Sequence, residues 1–148
     1  MTNKIIDAIA VTLYTKFGKD YEIYKEDIPQ GLTEPCFFIK LVESDLVPET
    51  IGSQQKGHTF DVHYFPTEGR KNSEMFDVAD VLLWLLDELT ITGWGKLRGL
   101  NKRYSIVDDV LHFMVDYPAH VNLPETASED LMETLEQTIT DKEGAHGG

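Results

Sequence analysis

The amino-acid sequence predicts an α+β fold, with a mostly antiparallel sheet of about five strands, two main helices on one face of it and a short C-terminal helix. Two long segments carry apolar residues at helical spacing, and five others have the apolar patterns of strands. These strands outnumber the helical crossovers that a parallel sheet would require. A chain of 148 residues can bury a core without disulfides. We therefore expect one α+β domain over residues 1–122, followed by an acidic C-terminal segment over residues 123–148.

The first helix is predicted from Asn3 to Phe17, because apolar residues recur there on one arc of a helical surface. The residues on this arc are Ile5, Ile6, Ile9, Ala10, Leu13 and Phe17. Gly18 follows directly and favours the end of the helix.

Three strands are predicted next. Tyr21 to Lys25 alternates with the period of a half-buried strand, and Ile28 to Gly31 has the composition of a turn. Cys36 to Val42 is almost continuously apolar, which is typical of a strand covered on both faces. Gly57 to Phe65 alternates again, with aromatic residues expected on both faces. The intervening stretch, Val47 to Lys56, is predicted to be a loop.

The second helix is predicted from Ser73 to Leu89, since one half of its surface is apolar and the other half acidic. The apolar half contains Met75, Phe76, Val78, Ala79, Leu82, Leu83, Leu85, Leu86 and Leu89. The acidic half contains Asp77, Asp80, Asp87 and Glu88. Trp84 lies in the middle of the acidic half, on the side that faces away from the predicted core.

The second half of the domain is predicted to end in a hairpin. A flexible link from Thr92 to Gly95 leads into strands over Leu97 to Val107 and Val110 to Tyr117, which Asp108-Asp109 joins as a tight turn. We interpret Gly93, Gly95 and Gly99 as hinges and not as a phosphate-binding loop, because they follow a helix and lack a subsequent Gly-Lys-Ser/Thr.

The C-terminal segment has the pattern of a short acidic amphipathic helix. It begins at Pro124, has a capping-box spacing between Thr126 and Glu129, and places Leu131, Leu135 and Ile139 on one narrow stripe. Residues 142–148 lack apolar side chains apart from one alanine and are predicted to be flexible.

Charge and composition argue against several classes of function. The chain has 13 basic and 26 acidic residues, a formal net charge of −13, which disfavours binding to nucleic-acid phosphates. No apolar run approaches the length of a membrane span. The single cysteine, Cys36, excludes an intramolecular disulfide and fits a protein made in a reducing compartment. We therefore expect protein partners.

No catalytic, metal or cofactor site is predicted. The five histidines, His58, His63, His112, His120 and His146, form no recognisable ligand motif, and the spacing of His58 and His63 places them on opposite strand faces. His112 with Asp108 or Asp109 could in principle shuttle protons. We favour the interpretation that these are surface or hydrogen-bonded sheet histidines, that Cys36 is a buried hydrophobe, and that the protein is not an enzyme.

Two features point to interaction with other chains. Trp84 can anchor an interface, or the C-terminal segment of the same chain can cover it. A basic strip within residues 96–103 has four cations and no acid; it can contact an acidic surface on a neighbouring copy, or be an ordinary solvated hairpin edge. The candidate interface residues are Trp84, Asp80, Asp87, Lys96, Arg98, Lys102, Arg103, Leu131 and Leu135.

Five strings in the sequence carry a family resemblance: Ile28-Pro29-Gln30-Gly31, Pro35-Cys36-Phe37-Phe38-Ile39, Phe60-Asp61-Val62-His63-Tyr64-Phe65-Pro66, Leu97-Arg98-Gly99-Leu100-Asn101 and Ile106-Val107-Asp108-Asp109-Val110-Leu111-His112-Phe113. In their order and spacing the chain resembles the tail terminator family of small prophage proteins, found among the tail genes of phages and phage-like particles of Gram-positive bacteria. The similarity runs from about residue 1 to residue 122. Asp-Gly is usual at the family's hairpin turn, where this chain has Asp108-Asp109.

The resemblance implies a structural virion protein without cofactors, made in the bacterial cytoplasm. It implies a ring, commonly of six copies, that caps the head-proximal end of the tail tube and provides the junction to the neck. The implied partners are other copies of the chain, the tube protein, and sheath and neck (connector) proteins. One alternative is a neck or head–tail joining protein. A more remote alternative is a small cytosolic enzyme that uses His112 with Asp108 or Asp109.

Overall fold

The computed structural model describes residues 1–25, 31–69 and 71–122. Its elements are, in chain order, α1 (Thr2–Phe17), β1 (Glu22–Lys25), β2 (Cys36–Thr50), β3 (Ser53–Phe65), α2 (Lys71–Leu85), β4 (Glu88–Ile91), β5 (Gly95–Arg98), β6 (Leu100–Val107), β7 (Val110–Asp116) and β8 (Ala119–Asn122). Most of the predicted turn at Ile28 to Gly31 and all of the predicted C-terminal helix, including Leu131 and Leu135, lie outside the described residues.

The strands form two sheets. The larger has six strands, in the order β1-β2-β3-β7-β6 with β8 also paired to β3, and the smaller is the β4-β5 pair. β1 runs parallel to β2, whereas the β3-β7, β6-β7 and β4-β5 pairs are antiparallel. The α+β class is confirmed, but the prediction of about five strands in one sheet is wrong. The second sheet was missed because Leu89 of β4 also fits the arc of the preceding helix, and because β5 and β6 were predicted as one strand.

The described residues fall into two compact units. The first comprises Met1–Asp45 and Lys56–Ala119. The second contains Leu46–Gln55 and, among the described residues, 120–122. The predicted boundary after residue 122 stays a prediction.

The core of the first unit lies between the helices and one face of the large sheet. Its fully buried members include Ile5, Ile9, Leu13, Phe37, Phe60, Val62, Tyr64, Met75, Leu82, Leu111 and Phe113. The ring of Phe37 packs at 4.9 Å, between ring centroids, on both Phe17 at the end of α1 and Tyr64 of β3. α2 packs on β6 and β7, and α1 on β1 and also on β4. The predicted placement of both helices on a single sheet is therefore wrong for α1, because part of its apolar arc covers the small sheet.

The C-terminal end of α2 lies four residues before the predicted one. Leu89, which the helical pattern included, is fully buried in β4, where it alternates with the buried Ile91. Leu82, Leu86 and Leu89 lie on one helical arc, so the spacing of the leucines alone did not show that Leu89 belongs to a strand. Phe76, placed in the apolar half, is 48% exposed because the buried arc of α2 is narrower than the apolar one.

The predicted loop from Val47 to Lys56 is instead the outer part of a long hairpin. β2 continues to Thr50 and β3 begins at Ser53, with a turn at Ile51 and Gly52, whose φ is 80°. From Glu43 to Thr50 every side chain of β2 is exposed. Sequence patterns report burial, so a strand exposed on both faces leaves no alternation to detect.

The β6-β7 hairpin is confirmed. Asp108 and Asp109 adopt φ values of 52° and 61°, and Val107 pairs with Val110 across the turn. Two consecutive left-handed residues are the geometry of a type I′ turn, which matches the twist of the flanking strands. The predicted flexible link at Thr92 to Gly95 is also a turn, which joins β4 to β5. Neither helix of the described residues is long and apolar enough to cross a membrane.

Candidate functional site

An apolar and acidic stripe runs along the outward face of α2. Trp84, in the last turn, is 85% exposed, and Asp80 and Phe76 precede it at intervals of four residues, both exposed. Residues four apart share one helix face, so these three side chains form one row, which we call the helix stripe. The placement of Trp84 outside the core is confirmed, and its role in an interface stays a prediction.

Lys102 of β6 holds the end of α2 that carries Trp84. Its Nζ donates to the backbone carbonyl of Leu83 at 2.7 Å and to Asp87 Oδ1 at 2.5 Å. The last carbonyls of a helix have no partner within the helix, and a cation there also interacts favourably with the helix dipole. The hydrogen bond from Lys102 holds the pKa of Asp87 below its ordinary value, although desolvation opposes this and the Arg98 charge adds to it. Lys102 is therefore a structural residue, with its side chain only 16% exposed.

Two further contacts secure the same helix end. The Tyr117 hydroxyl donates to the carbonyl of Leu86 at 2.6 Å, and the Gly99 N–H donates to the carbonyl of Asp87 at 2.7 Å. A Cβ at residue 99 would lie 2.4 Å from the Leu86 oxygen and 2.9 Å from Val115 Cγ2. Gly99 is thus a position of close backbone approach, and the prediction that it is a hinge is wrong.

The two cations of β5 contact acids of the preceding segment. Lys96 Nζ lies 3.4 Å from Glu88 Oε1, and Arg98 Nη2 lies 3.9 Å from Asp87 Oδ2. Both basic side chains are exposed, by 68% and 76% respectively. We call Lys96 and Arg98 the β5 cations.

Arg103 completes the predicted basic strip, on the other side of β6 from Lys102. Its Nη1 donates to the carbonyl of Asn101 at 2.5 Å and lies 3.9 Å from Asp116 Oδ1 of β7. Each of the four cations within residues 96–103 therefore lies near an acid, and the role of this basic strip in an interface stays a prediction. The acids that neutralise it come from neighbouring elements, which the local sequence does not show.

A cluster that the sequence did not reveal lies on the opposite sheet face from the helices. The register of β3 and β7 places His63 directly opposite His112, with their ring centroids 4.3 Å apart. Asp61 Oδ2 lies 3.0 Å from His63 Nε2 and 3.0 Å from His112 Nδ1. The sequence placed Asp108 or Asp109 beside His112, whereas the structure places Asp61 there. β3 and β7 are separated by α2 and three strands, so no local signal indicates their register.

Burial and charge act in opposite directions on this cluster. The three side chains are only 14% to 25% exposed. Burial raises the pKa of Asp61, but the neighbouring His63 and His112 stabilise its carboxylate more strongly and leave the pKa below its ordinary value. Asp61 Oδ1 is buried without a hydrogen-bond partner.

The remaining candidate groups have structural environments. His58 is buried on the helix side of β3, so its predicted placement opposite His63 is confirmed. Its Nδ1 lies 3.2 Å from the Tyr117 carbonyl, and burial lowers the pKa of the ring. Cys36 is fully buried, as expected, and burial together with Glu34 and Glu22 raises the pKa of its thiol to about 11.

The chain was compared with known proteins. A family model described as phage tail terminator protein matches residues 4–130, a span that contains nearly all of α1 and every other described element. No curated protein matches the chain.

Proposed function

The chain belongs to the phage tail terminator family, whose members are structural proteins of the phage tail and not a class of enzymes, and we propose that it ends the tail tube as a closed ring. In this proposal the ring has six copies and caps the head-proximal end of the tube. It binds the last tube ring on one side and the neck on the other, with sheath protein as a further neighbour in a contractile tail.

A terminator that forms a ring needs contacts between copies that close the ring. Each copy must present one surface to the next copy and a different, complementary surface to the previous one, since such heterologous contacts form rings when their rotation closes. The observation that supports this role best is the exposed Trp84 on a helix end fixed by Lys102, Tyr117 and Gly99. A rigid aromatic side chain loses little conformational freedom on binding, which suits an interface anchor.

The helix stripe and the β5 cations are the two complementary surfaces in the proposal. With a net charge of −13, copies of this chain repel one another unless cations lie in the contact. Lys96 and Arg98 pair with their own acids at 3.4 and 3.9 Å while largely exposed. Such surface pairs contribute little and exchange partners readily, so both cations are available to Asp80 of a neighbouring copy.

The size of the Trp84 contribution can be bounded. An aromatic side chain buries roughly 150–250 Å² in an interface, which at about 25 cal/mol per Å² corresponds to about 4–6 kcal/mol before the costs of association. A loss of this size at every contact of a ring is enough to prevent closure.

We expect Trp84→Ala to abolish the ring without unfolding the chain. Mass measurement of the purified protein, alone and with tube protein, should give a multiple of the chain mass for the unaltered protein and the single-chain mass for the variant. Tyr14→Ala on α1, which removes an aromatic residue that is 57% exposed, is the matched control and should assemble normally.

Two results would contradict the proposal. If the unaltered protein stays monomeric in both conditions, it does not form a ring. If the Trp84→Ala protein assembles normally, the helix stripe is not part of the contact between copies. The alternative of a neck or head–tail joining protein is separated by tail length: loss of a terminator gives overlong tubes or tubes that fail to join heads, whereas loss of a joining protein leaves tails of normal length.

A further inference from the structure

We propose that Asp61, His63 and His112 bind a divalent transition-metal ion, with Zn²⁺ the best fit. All three side chains lie on one face of the large sheet within the first compact unit. One ligand atom from each, a carboxylate oxygen or an imidazole nitrogen, lies within 4.8 Å of the other two. This metal site is separate from the helix stripe and does not depend on the proposed ring.

The backbone brings the three ligands together. Asp61 and His63 are two residues apart on β3, so their side chains leave the same sheet face. His112 is the direct antiparallel partner of His63, and directly paired residues have Cβ atoms about 4.5–5.5 Å apart on one face. Ligands held on paired strands are fixed by the ladder of backbone hydrogen bonds and need little reordering when an ion binds.

The distances suit a small tetrahedral ion. Zn²⁺ binds imidazole nitrogen and carboxylate oxygen at about 2.0–2.1 Å, which places the ligand atoms of a tetrahedral complex roughly 3.3 Å apart. Asp61 Oδ2 lies 3.0 Å from both His63 Nε2 and His112 Nδ1. A small outward movement of the side chains therefore completes three corners of the tetrahedron. The fourth corner is left for water.

One polar atom of the cluster lacks a partner. Asp61 Oδ1 is buried and makes no hydrogen bond, and a buried polar atom without a partner costs free energy. A cation bound between Asp61 and the two imidazoles would neutralise the buried carboxylate. The ring of Phe38 packs edge-on against His63, with centroids 5.4 Å apart, and limits the rotation of that ligand.

The donor set favours zinc over magnesium or calcium. Two imidazoles and one carboxylate are typical ligands of Zn²⁺ and of neighbouring transition metals, whereas Mg²⁺ and Ca²⁺ prefer sites built from oxygen atoms.

The test is a calorimetric titration of tag-free, metal-stripped protein with Zn²⁺. We expect one ion per chain. Loss of a residue that only supports a metal ligand lowers metal affinity by about 10- to 100-fold. His63→Gln and His112→Gln remove ligands themselves, so each should lower the Zn²⁺ affinity by at least as much. His120→Gln is the matched control, because His120 is exposed and pairs with Glu49 outside this cluster. It should bind Zn²⁺ as the unaltered protein does.

Co²⁺ gives a second measurement that needs no variant. Bound tetrahedrally by these ligands, it should produce intense visible absorption that Zn²⁺ abolishes in a one-to-one titration. Failure of the unaltered protein to bind either ion at stoichiometric concentration would overturn the proposal. Unchanged Zn²⁺ affinity in both folded cluster variants would also overturn it.

Discussion

The two helices end in different ways. α1 ends at Gly18, whose N–H donates to the carbonyl of Tyr14 at 2.9 Å and whose φ of 83° turns the chain away. α2 ends at Leu85 without such a glycine, and the carbonyls at its end and in the two residues that follow are bound by groups from Lys102, Tyr117 and Gly99. The end of α1 is therefore determined by the next residue in the chain, whereas the end of α2 is determined by residues that follow β4 and β5. This difference explains why the sequence predicted the first end and missed the second.

A helix end with local stop signals can fray without disturbing the rest of the fold, whereas the end of α2 is coupled to β6 and to the residues around Gly99 and Tyr117. Trp84 lies on this coupled end and is nevertheless 85% exposed. Tertiary contacts thus hold the backbone beside Trp84, although the described core does not use its side chain. This combination is what we expect if Trp84 anchors another chain, as proposed.

Gly99→Ala should break the α2 end most severely. The added methyl would lie 2.4 Å from the Leu86 oxygen and 2.9 Å from Val115 Cγ2, both held in packed structure. We expect a loss of about 3 kcal/mol in the free energy of unfolding, the upper range for overpacking, measured by urea denaturation. A loss below about 0.5 kcal/mol, the range of neutral surface changes, would show that this close approach relaxes easily.

Gly18→Ala tests the α1 end and should cost less. Its φ of 83° and ψ of −174° lie in a region that only glycine adopts without strain, while nothing lies within 4 Å of an added Cβ. The expected loss is about 1–3 kcal/mol, from backbone strain alone, measured in the same urea experiment. If this variant is destabilised more than Gly99→Ala, the ranking of the two helix ends is reversed and the comparison fails.

Lys102→Met tests the tertiary contacts at the α2 end and should destabilise the fold less than either glycine variant. It keeps the apolar stem but removes the donor to Leu83 and Asp87, which should lower the free energy of unfolding by about 1 kcal/mol. The pKa of Asp87 should rise towards its ordinary value, because the hydrogen bond from Lys102 is the largest cause of its depression. NMR titration of the Asp87 carboxyl measures this directly.

Lys96→Met is the matched control for that variant. The Lys96 side chain is 68% exposed and pairs with Glu88 at 3.4 Å, so its removal should leave the stability within about 0.5 kcal/mol of the unaltered protein. Equal destabilisation by the two lysine variants would mean that Lys102 acts as an ordinary surface charge.

Local signals predicted much of the fold. The apolar arc of α1, the alternation of β3 and the turn at Asp108-Asp109 all arise from residues close together in the chain, and the structure has each of them. The exposed position of Trp84 was predicted in the same way, because its spacing from the apolar residues of the helix places it on the opposite side. The outer part of the β2-β3 hairpin escaped prediction because it is exposed on both faces, and β4 because its leucine fits the preceding helix.

The α+β class, the period of the two helices and the side of α2 on which Trp84 lies could be predicted from the amino-acid sequence alone, because these depend on short-range spacing and on which residues avoid water. The packing of the whole fold determines where α2 ends and places Asp61 beside His63 and His112. It also determines which acids lie near the four cations Lys96, Arg98, Lys102 and Arg103. Those contacts depend on the register between β3 and β7 and on the packing of β6 against α2. Segments so far apart in the chain are aligned by the burial of the whole core, which no local pattern records.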